Sequence, residues 1–191
     1  ISRDADGKPL RMLGTFTDIS DRKAAEALIR QQAFYDTLTG LPNRRMLRDR
    51  LEQEIKRSNR DQQELAILFI DLDHFKEVND TLGHDRGDML LIEAGRRRQA
   101  CVRAADTVAR MGGDEFTVIL GDVHGPDDAA RVAQEIVEQM GTPFQVRNVS
   151  LQIGASVGLC LYPDQAHDVS SLVAGADEAM YRVKQSHRRR V

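Results

Sequence analysis

At 191 residues, 41% hydrophobic and 30% charged, the chain has room for one full domain and an appendage, and its composition excludes a disordered or collagen-like protein. Its 27 basic and 30 acidic residues leave a formal net charge of -3, which excludes a polycation built for a nucleic-acid polymer. No apolar run approaches the length of a membrane span, and Cys101 and Cys160 lie outside any paired spacing, so a reducing, cytoplasmic setting without membrane contact is expected. The chain starts at Ile1 and closes in a basic run from His187 to Arg190. Both ends read as cuts through a longer protein, in which a membrane anchor elsewhere stays open.

Residues 1–21 do not read as a free-standing fold. The turn cluster Asp4-Ala5-Asp6-Gly7-Lys8-Pro9 precedes a loosely alternating strand from Leu10 to Ile19, and a single hairpin cannot bury a core alone. Residues 22–35 read as a helix capped by Ser20 or Asp21, with a thin apolar stripe through Ala24, Leu28 and Tyr35. Such a helix suits a coiled-coil connector between two copies or a solvated linker, and the sequence does not choose between them.

From Asp36 the pattern is dense. Leu41-Pro42-Asn43 breaks one helix and starts a second that runs to about Arg57. Leu65 to Ile70 is a continuous apolar run, the mark of a central strand covered on both faces. Helical patterns follow over 74–80 and 85–103. Thr107 to Leu120 reads as two strands about the Gly112-Gly113 turn, and Asp127 to Met140 as a helix with two aspartates at its positive end. Val146 to Leu161 reads as a second hairpin about Arg147-Asn148, and Ser170 to Ser186 as the last helix. This order of strands and helices predicts an α+β domain over 36–191, without internal repeats.

Chemistry concentrates where carboxylates follow strands. Asp71-Leu72-Asp73 comes directly after the buried run, where an unpaired charge is costly. Asp114-Glu115 sits in the turn made by Gly112 and Gly113, whose backbones reach conformations closed to other residues. If the two strand pairs lie side by side, Asp71 and Asp114 face each other at one rim. Converging carboxylates without His or Cys favour magnesium or manganese, and magnesium takes its other ligands from water and substrate phosphates. The chemistry expected is phosphoryl or nucleotidyl transfer. Taken singly, Asp-x-Asp after a strand reads as a solvated turn and Gly-Gly-Asp as an ordinary hairpin turn. Their conjunction carries the functional reading.

Arg110-Met111-Gly112-Gly113-Asp114-Glu115-Phe116 resembles the signature of the GGDEF family, the diguanylate cyclases. Three further segments resemble family motifs in the family's order: Asp36 to Arg45 (DTLTGLPNRR), Phe69 to Asp80 (FIDLDHFKEVND), and Gly83 to Asp88 (GHDRGD). The resemblance spans about residues 33–191. It implies a palm-like nucleotide cyclase fold, with a central, mostly antiparallel sheet flanked by helices. It also implies that two GTP molecules condense to cyclic di-GMP with release of two pyrophosphates, each protomer of a homodimer holding one GTP.

By position, Asp71 and Asp114 would ligate Mg2+ or Mn2+ together with the Leu72 carbonyl, and Glu115 would support the second metal or the site geometry. Asp114 is also the candidate to take the proton of the attacking 3′-hydroxyl, although a metal-bound carboxylate is a weak base and metal activation counts beside it. Asn79 and Asp88 would read guanine, whose edge an amide and a carboxylate match. Phe75, Lys76 and His84 fall at substrate-contacting positions, with a helix-start histidine bonded to backbone as the other reading of His84. Lys184 and Arg188 on the last helix match basic positions that meet the triphosphate, and Gly112 and Gly113 would let the backbone approach phosphates. Thr17-Asp18-Ile19-Ser20-Asp21-Arg22-Lys23 resembles the closing pattern of a PAS sensory domain. On that reading 1–21 is the tail of one and 22–35 a signalling helix; a plain linker is the alternative.

Arg103-Ala104-Ala105-Asp106 precedes the signature at the spacing of the family's product-binding motif. The arginine fork suits phosphate or a guanine face, and the aspartate suits the guanine edge. An i to i+3 ion pair is the plain alternative. The resemblance implies that cyclic di-GMP binds there and slows the enzyme. The chain departs from the family where the last helix commonly closes with Gly-Arg-Asn, since His187-Arg188-Arg189 stands there. Two rivals remain. A non-catalytic module sensing GTP or cyclic di-GMP is opposed by the intact Asp71, Asp114, Glu115, Asn79 and Asp88. A polymerase-like transferase is opposed by aromatics at only 5%, not interleaved with basic residues.

Overall fold

The structure, a computed structural model, describes residues 2–3, 5–11 and 17–188, with side chains for 5–8, 17–26 and 28–186. Two units separate, 1–33 and 34–191. In the first, β1 (Ser2–Arg3) and β2 (Pro9–Arg11) pair antiparallel, and α1 (Ser20–Phe34) begins after them. Of the strand expected over Leu10 to Ile19, Leu10 and Arg11 lie in β2, residues 17–19 are not strand, and 12–16 lie outside the described residues. Ser20 and Asp21, expected as caps, fall inside α1. The side chain of Asp18 accepts the Ser20 N–H at 2.9 Å and marks the start instead. Leu28 and Ile29 are 56% and 65% exposed on α1.

The second unit is built on a strand whose sequence is apolar throughout. Its elements run α2 (Arg44–Asp61), β3 (Glu64–Leu72), α3 (Phe75–Leu82), α4 (His84–Ala100), β4 (Thr107–Gly112), β5 (Glu115–Val123), α5 (Pro126–Gly141), β6 (Phe144–Val146), β7 (Val149–Leu151), β8 (Ala155–Tyr162) and α6 (Val169–Arg188). Every residue of β3 from Leu65 to Leu72 is buried, as the continuous apolar run predicts. β3 lies between β5 and β8 in the order β4-β5-β3-β8, and all three pairings are antiparallel. The palm-like antiparallel sheet flanked by helices is therefore what forms.

Period-two alternation divides the core between the two faces of the sheet. Ala66, Leu68 and Ile70 join Phe116 and Val118 under α4 and α5, which bring Leu90, Ala94, Ile136 and Met140. Leu65, Ile67 and Phe69 join Ile119 and Cys160 under α2 and α6, which bring Leu47, Leu51, Leu172 and Ala176. Each of the Leu, Ile, Val, Phe and Met side chains withdrawn from water stabilises the fold by about 1.5–3 kcal/mol before entropy is counted.

Local chemistry sets the helix bounds. Asn43 Oδ1 accepts the N–H groups of Arg45 and Met46 at 3.0 and 3.1 Å and starts α2. That helix outruns its expected end at Arg57 and stops where Gln62 turns left-handed. α4 stops at Ala100 rather than residue 103, because the turn from Arg103 to Asp106 begins. The hairpin about Arg147-Asn148 is confined to β6 and β7. Residues 155–162, expected as its second arm, form β8 and pair with β3 from Leu65↔Tyr162 to Leu72↔Ala155. Cys101 and Cys160 are both buried and free. Among the described residues no helix is long and apolar enough to cross a membrane.

Candidate active site

β3 and β5 bring their carboxylates to one rim of the sheet. Asp71 pairs with Glu115 across the ladder, and the Leu72 N–H donates to the Asp114 carbonyl at 3.4 Å. The turn before Asp114 needs glycine: φ is +138° at Gly112 and +53° at Gly113. Arg110 fastens this turn. Its Nε and Nη2 donate to the Gly113 carbonyl at 3.1 and 2.8 Å, and its Nη1 donates to both carboxylate oxygens of Asp36 at 2.9 and 3.0 Å. Asp36 also accepts the Thr39 N–H at 2.8 Å and the Thr39 hydroxyl at 2.6 Å. Burial pushes the Asp36 carboxyl up, but the Thr39 and Arg110 bonds outweigh it and hold it below the usual aspartate value.

The rim itself has the opposite balance. Asp71 is only 6% exposed. Burial pushes its carboxyl up, the Lys184 ammonium at 2.6 Å pulls it back, and Asp114 and Asp73 push it up again; the net direction is upward. Glu115 is also raised, by burial first, then by Asp114, Asp177 and Asp71, against the pull of Arg44. The rim therefore holds more negative charge than its neighbouring cations neutralise. Two carboxylates beside a main-chain carbonyl, all oxygen donors, fit a hard divalent cation. Among the described residues no third His, Cys, Asp or Glu completes the group, so an ion here would draw on water and phosphate for its other ligands. Asp73 is engaged elsewhere: it accepts the Ser156 hydroxyl at 2.7 Å, and its N–H donates to the Gly154 carbonyl at 3.0 Å.

Beside the rim opens a cleft of about 690 Å³ lined by Leu72, Phe75, Lys76, Asp80, Asp114 and Lys184 among others. Lys184 reaches it from α6, 113 residues further along the chain than its partner Asp71. Lys76 is exposed in the first turn of α3. His74 enters that helix left-handed at φ +61°, with Nδ1 2.8 Å from Glu77. Asn79 is half-buried on α3, while His84 and Asp88 are exposed on α4. Gly112 and Gly113 are exposed. The Arg188 side chain lies outside the described residues. Asp71, Leu72, Asp114, Glu115, Phe75, Lys76 and Lys184 thus gather at one rim, and Asn79, His84 and Asp88 lie on the two helices that follow it.

Arg103 and Asp106 are elsewhere, on a smaller cleft of about 260 Å³ shared with Gly121, Asp128 and Arg131. The i to i+3 link is not an ion pair between side chains. Asp106 accepts the Arg103 N–H at 2.9 Å and the Gly121 N–H at 3.3 Å, which caps the turn. Sequence reasoning quoted Asp36 and Arg110 inside motifs without giving either a role. The signal was a lone arginine two residues before a glycine turn. Its partner 74 positions away leaves no trace in local spacing.

A family model described as "Diguanylate cyclase, GGDEF domain" matches residues 33–190. Over 158 residues the chain is 48% identical to the bifunctional diguanylate cyclase/cyclic di-GMP phosphodiesterase MucR of Pseudomonas aeruginosa, covering 83% of this chain and 23% of that protein. It is 40% identical over 163 residues to the diguanylate cyclase TpbB of the same organism, covering 85% of this chain and 38% of that one. Among solved structures, a sensory box/GGDEF family protein from Caulobacter crescentus superposes with a TM-score of 0.76 at 44% identity, covering 80% of this chain and 98% of that one. The chain spans well under half the length of both curated relatives.

Proposed function

The chain belongs to the GGDEF family, and from that premise we propose that it is a diguanylate cyclase domain, joining two GTP molecules into cyclic di-GMP across a dimer. The observation that carries this reading is the meeting of Asp71 and Asp114 at a rim with uncompensated negative charge, beside a cleft furnished with Lys76 and Lys184. In the reaction each 3′-hydroxyl attacks the α-phosphorus of the other GTP. Two P–O bonds form, two α–β phosphoanhydride bonds break, and two pyrophosphates leave.

Asp71, Asp114 and the Leu72 carbonyl would hold Mg2+ or Mn2+, with Glu115 supporting the second ion or the geometry. A bound divalent ion supplies charge neutralisation at the phosphates and acidifies the attacking hydroxyl. Asp114 stands ready to accept the hydroxyl proton. Lys184 answers triphosphate charge when it leaves Asp71, and Lys76 does so from α3. Arg188 takes the same part by position. Asn79 and Asp88 read the guanine edge, with Phe75 and His84 beside the substrate, and Gly112 and Gly113 let the backbone approach the phosphates. One GTP per protomer makes catalysis depend on a homodimer.

Arg103 and Asp106 receive cyclic di-GMP as an inhibitor. The cleft at that turn supports this reading, and Asp106 would have to trade a backbone bond for the guanine edge. Residues 1–21 are the tail of a PAS-type domain, 22–35 the signalling helix and 36–191 the cyclase. Exposed Leu28 and Ile29 give that helix an apolar surface for a second copy.

The test is product analysis of the concentrated chain with GTP and Mg2+, beside an Asp114→Ala control. Cyclic di-GMP and pyrophosphate, absent from the control, are expected. A chain that stays silent after bound nucleotide is stripped, yet binds cyclic di-GMP through Arg103, would move the reading to a non-catalytic sensor.

A further inference from the structure

α3 carries Asn79 and α4 carries Asp88, and the two helices approach at Gly87. Gly87 is buried in ordinary helical backbone, so no left-handed φ calls for glycine there. Glycine in a helix costs about 1 kcal/mol relative to alanine, so a packing reason is needed. The reason is on the opposite helix. A Cβ at Gly87 would overlap Asn79 Oδ1, lie 3.0 Å from Asn79 Cγ and lie 3.3 Å from Phe75 Cζ. The amide of Asn79 is thus seated in the space where a side chain at 87 would be. Of the amide's two ends, the oxygen is the one nearest Gly87.

We infer that Gly87 is a positioning residue for nucleobase recognition: its missing side chain seats the Asn79 amide with the NH2 presented to the acceptor edge of a purine, one residue before Asp88. The inference rests on the reading of Asn79 and Asp88 as the guanine contacts. Guanine offers O6 and N7 as acceptors and N1–H and the exocyclic amine as donors, and a donor amide beside an acceptor carboxylate matches that pattern. A purine with a donor at position 6 meets the NH2 with like polarity and is refused. Seating fixes the amide rotamer before the base arrives, so less ordering is left to binding. A methyl group at 87 would displace the far end of the flexible Asn79 side chain rather than backbone, and would need only a few tenths of an ångström from the Phe75 ring. The fold tolerates it, and the amide is what moves.

The experiment is calorimetric titration with 3′-deoxy-GTP and 3′-deoxy-ATP in the presence of Mg2+; these analogues lack the attacking hydroxyl and cannot be joined. Wild type, Gly87→Ala, Asn79→Ala and the double variant are compared, with thermal melts of each. Gly87→Ala is expected to weaken 3′-deoxy-GTP about tenfold, the loss of one good hydrogen bond, to narrow the preference over 3′-deoxy-ATP, and to leave the melting temperature within a few degrees. Added to Asn79→Ala it should cost nothing further, because the atom it displaces is gone. Wild-type affinity in Gly87→Ala beside a weakened Asn79→Ala overturns the inference and leaves the guanine reading standing. An equal loss with and without Asn79 overturns it as well, since the glycine then serves helix packing alone. Wild-type affinity in Asn79→Ala removes the guanine reading and the inference together.

Discussion

The Arg110–Asp36 clasp and the Asp71–Asp114 rim sit on either side of one peptide, and each sets carboxylate against cation. In the clasp the donors of Arg110 and Thr39 match the acceptors of Asp36 and Gly113, and the Asp36 carboxyl is held below its usual value. At the rim one lysine faces crowded carboxylates, and Asp71 and Glu115 are pushed up. Saturated charge fixes a glycine turn that would otherwise be loose. Unsaturated charge is what a cation and a triphosphate can complete. The same contrast appears within two residues of α4. Arg97 donates to the carbonyls of Gln139, Thr142 and Pro143 at 2.8–3.0 Å, closing the end of α5, and lies 3.8 Å over the Phe144 ring. Arg98 is fully buried and stacks 4.1 Å over Phe116. Its three guanidinium nitrogens find no hydrogen-bond partner among the described residues, and burial lowers its pKa to about 9.

The largest way to break the comparison is at the rim. Asp114→Ala should lower the rate of cyclic di-GMP formation by on the order of 10³-fold without lowering the melting temperature, because it removes a repelling charge. A destabilised Asp114→Ala would place the residue in the framework instead. Next comes the clasp. Arg110→Ala should cost about 2–3 kcal/mol in denaturant unfolding, somewhat less than breaking a fully buried pair, and reduce turnover by loosening the turn. Unchanged stability would show that the clasp is ornamental. A smaller gain is expected on α4. Arg98→Met should stabilise by about 1–2 kcal/mol, since an unpaired buried cation gives way to an unbranched apolar side chain that reaches along the same path. A loss of stability there would mean that the Phe116 stacking outweighs desolvation.

The smallest effect is a pair of opposite slopes with pH. The raised pKa of Asp71 contributes stability that is fully present below its ordinary value of 3.8 and lost as pH rises through the folded value. The lowered pKa of Asp36 contributes stability present above 3.8 and lost as pH falls through its folded value. Unfolding free energies of wild type relative to Asp71→Asn should therefore fall with rising pH, and relative to Asp36→Asn should climb. Parallel curves would erase the distinction between the two regions.

Local pattern carried most of the framework into view from the sequence. The apolar run 65–70, the paired glycines 112–113 and the aspartates opening α5 each encode an element through short-range chemistry. The rest failed where partners are distant. Residues 155–162 continue an alternation that looks like a hairpin arm, and only the sheet order reveals β8 as the neighbour of β3. Arg98 stands in the run Arg96-Arg97-Arg98, where nothing local sets it apart from its charged neighbours. Its place on the buried stripe of Leu90 and Ala94 is what puts it in the core. At the site, Asp71 and Asp114 were legible as strand-end carboxylates. The bond from Lys184 to Asp71 and the seat of Asn79 against Gly87 depend on packing that no spacing records.

The most direct test is of the rim's appetite for a divalent cation: Mn2+ titrated into the chain in the presence of 3′-deoxy-GTP, followed by the loss of the free-ion paramagnetic resonance signal. Saturable binding in wild type that collapses in both Asp71→Asn and Asp114→Asn, while Asp73→Asn still binds, is the predicted result. Equal Mn2+ binding in wild type and in either rim variant would contradict it.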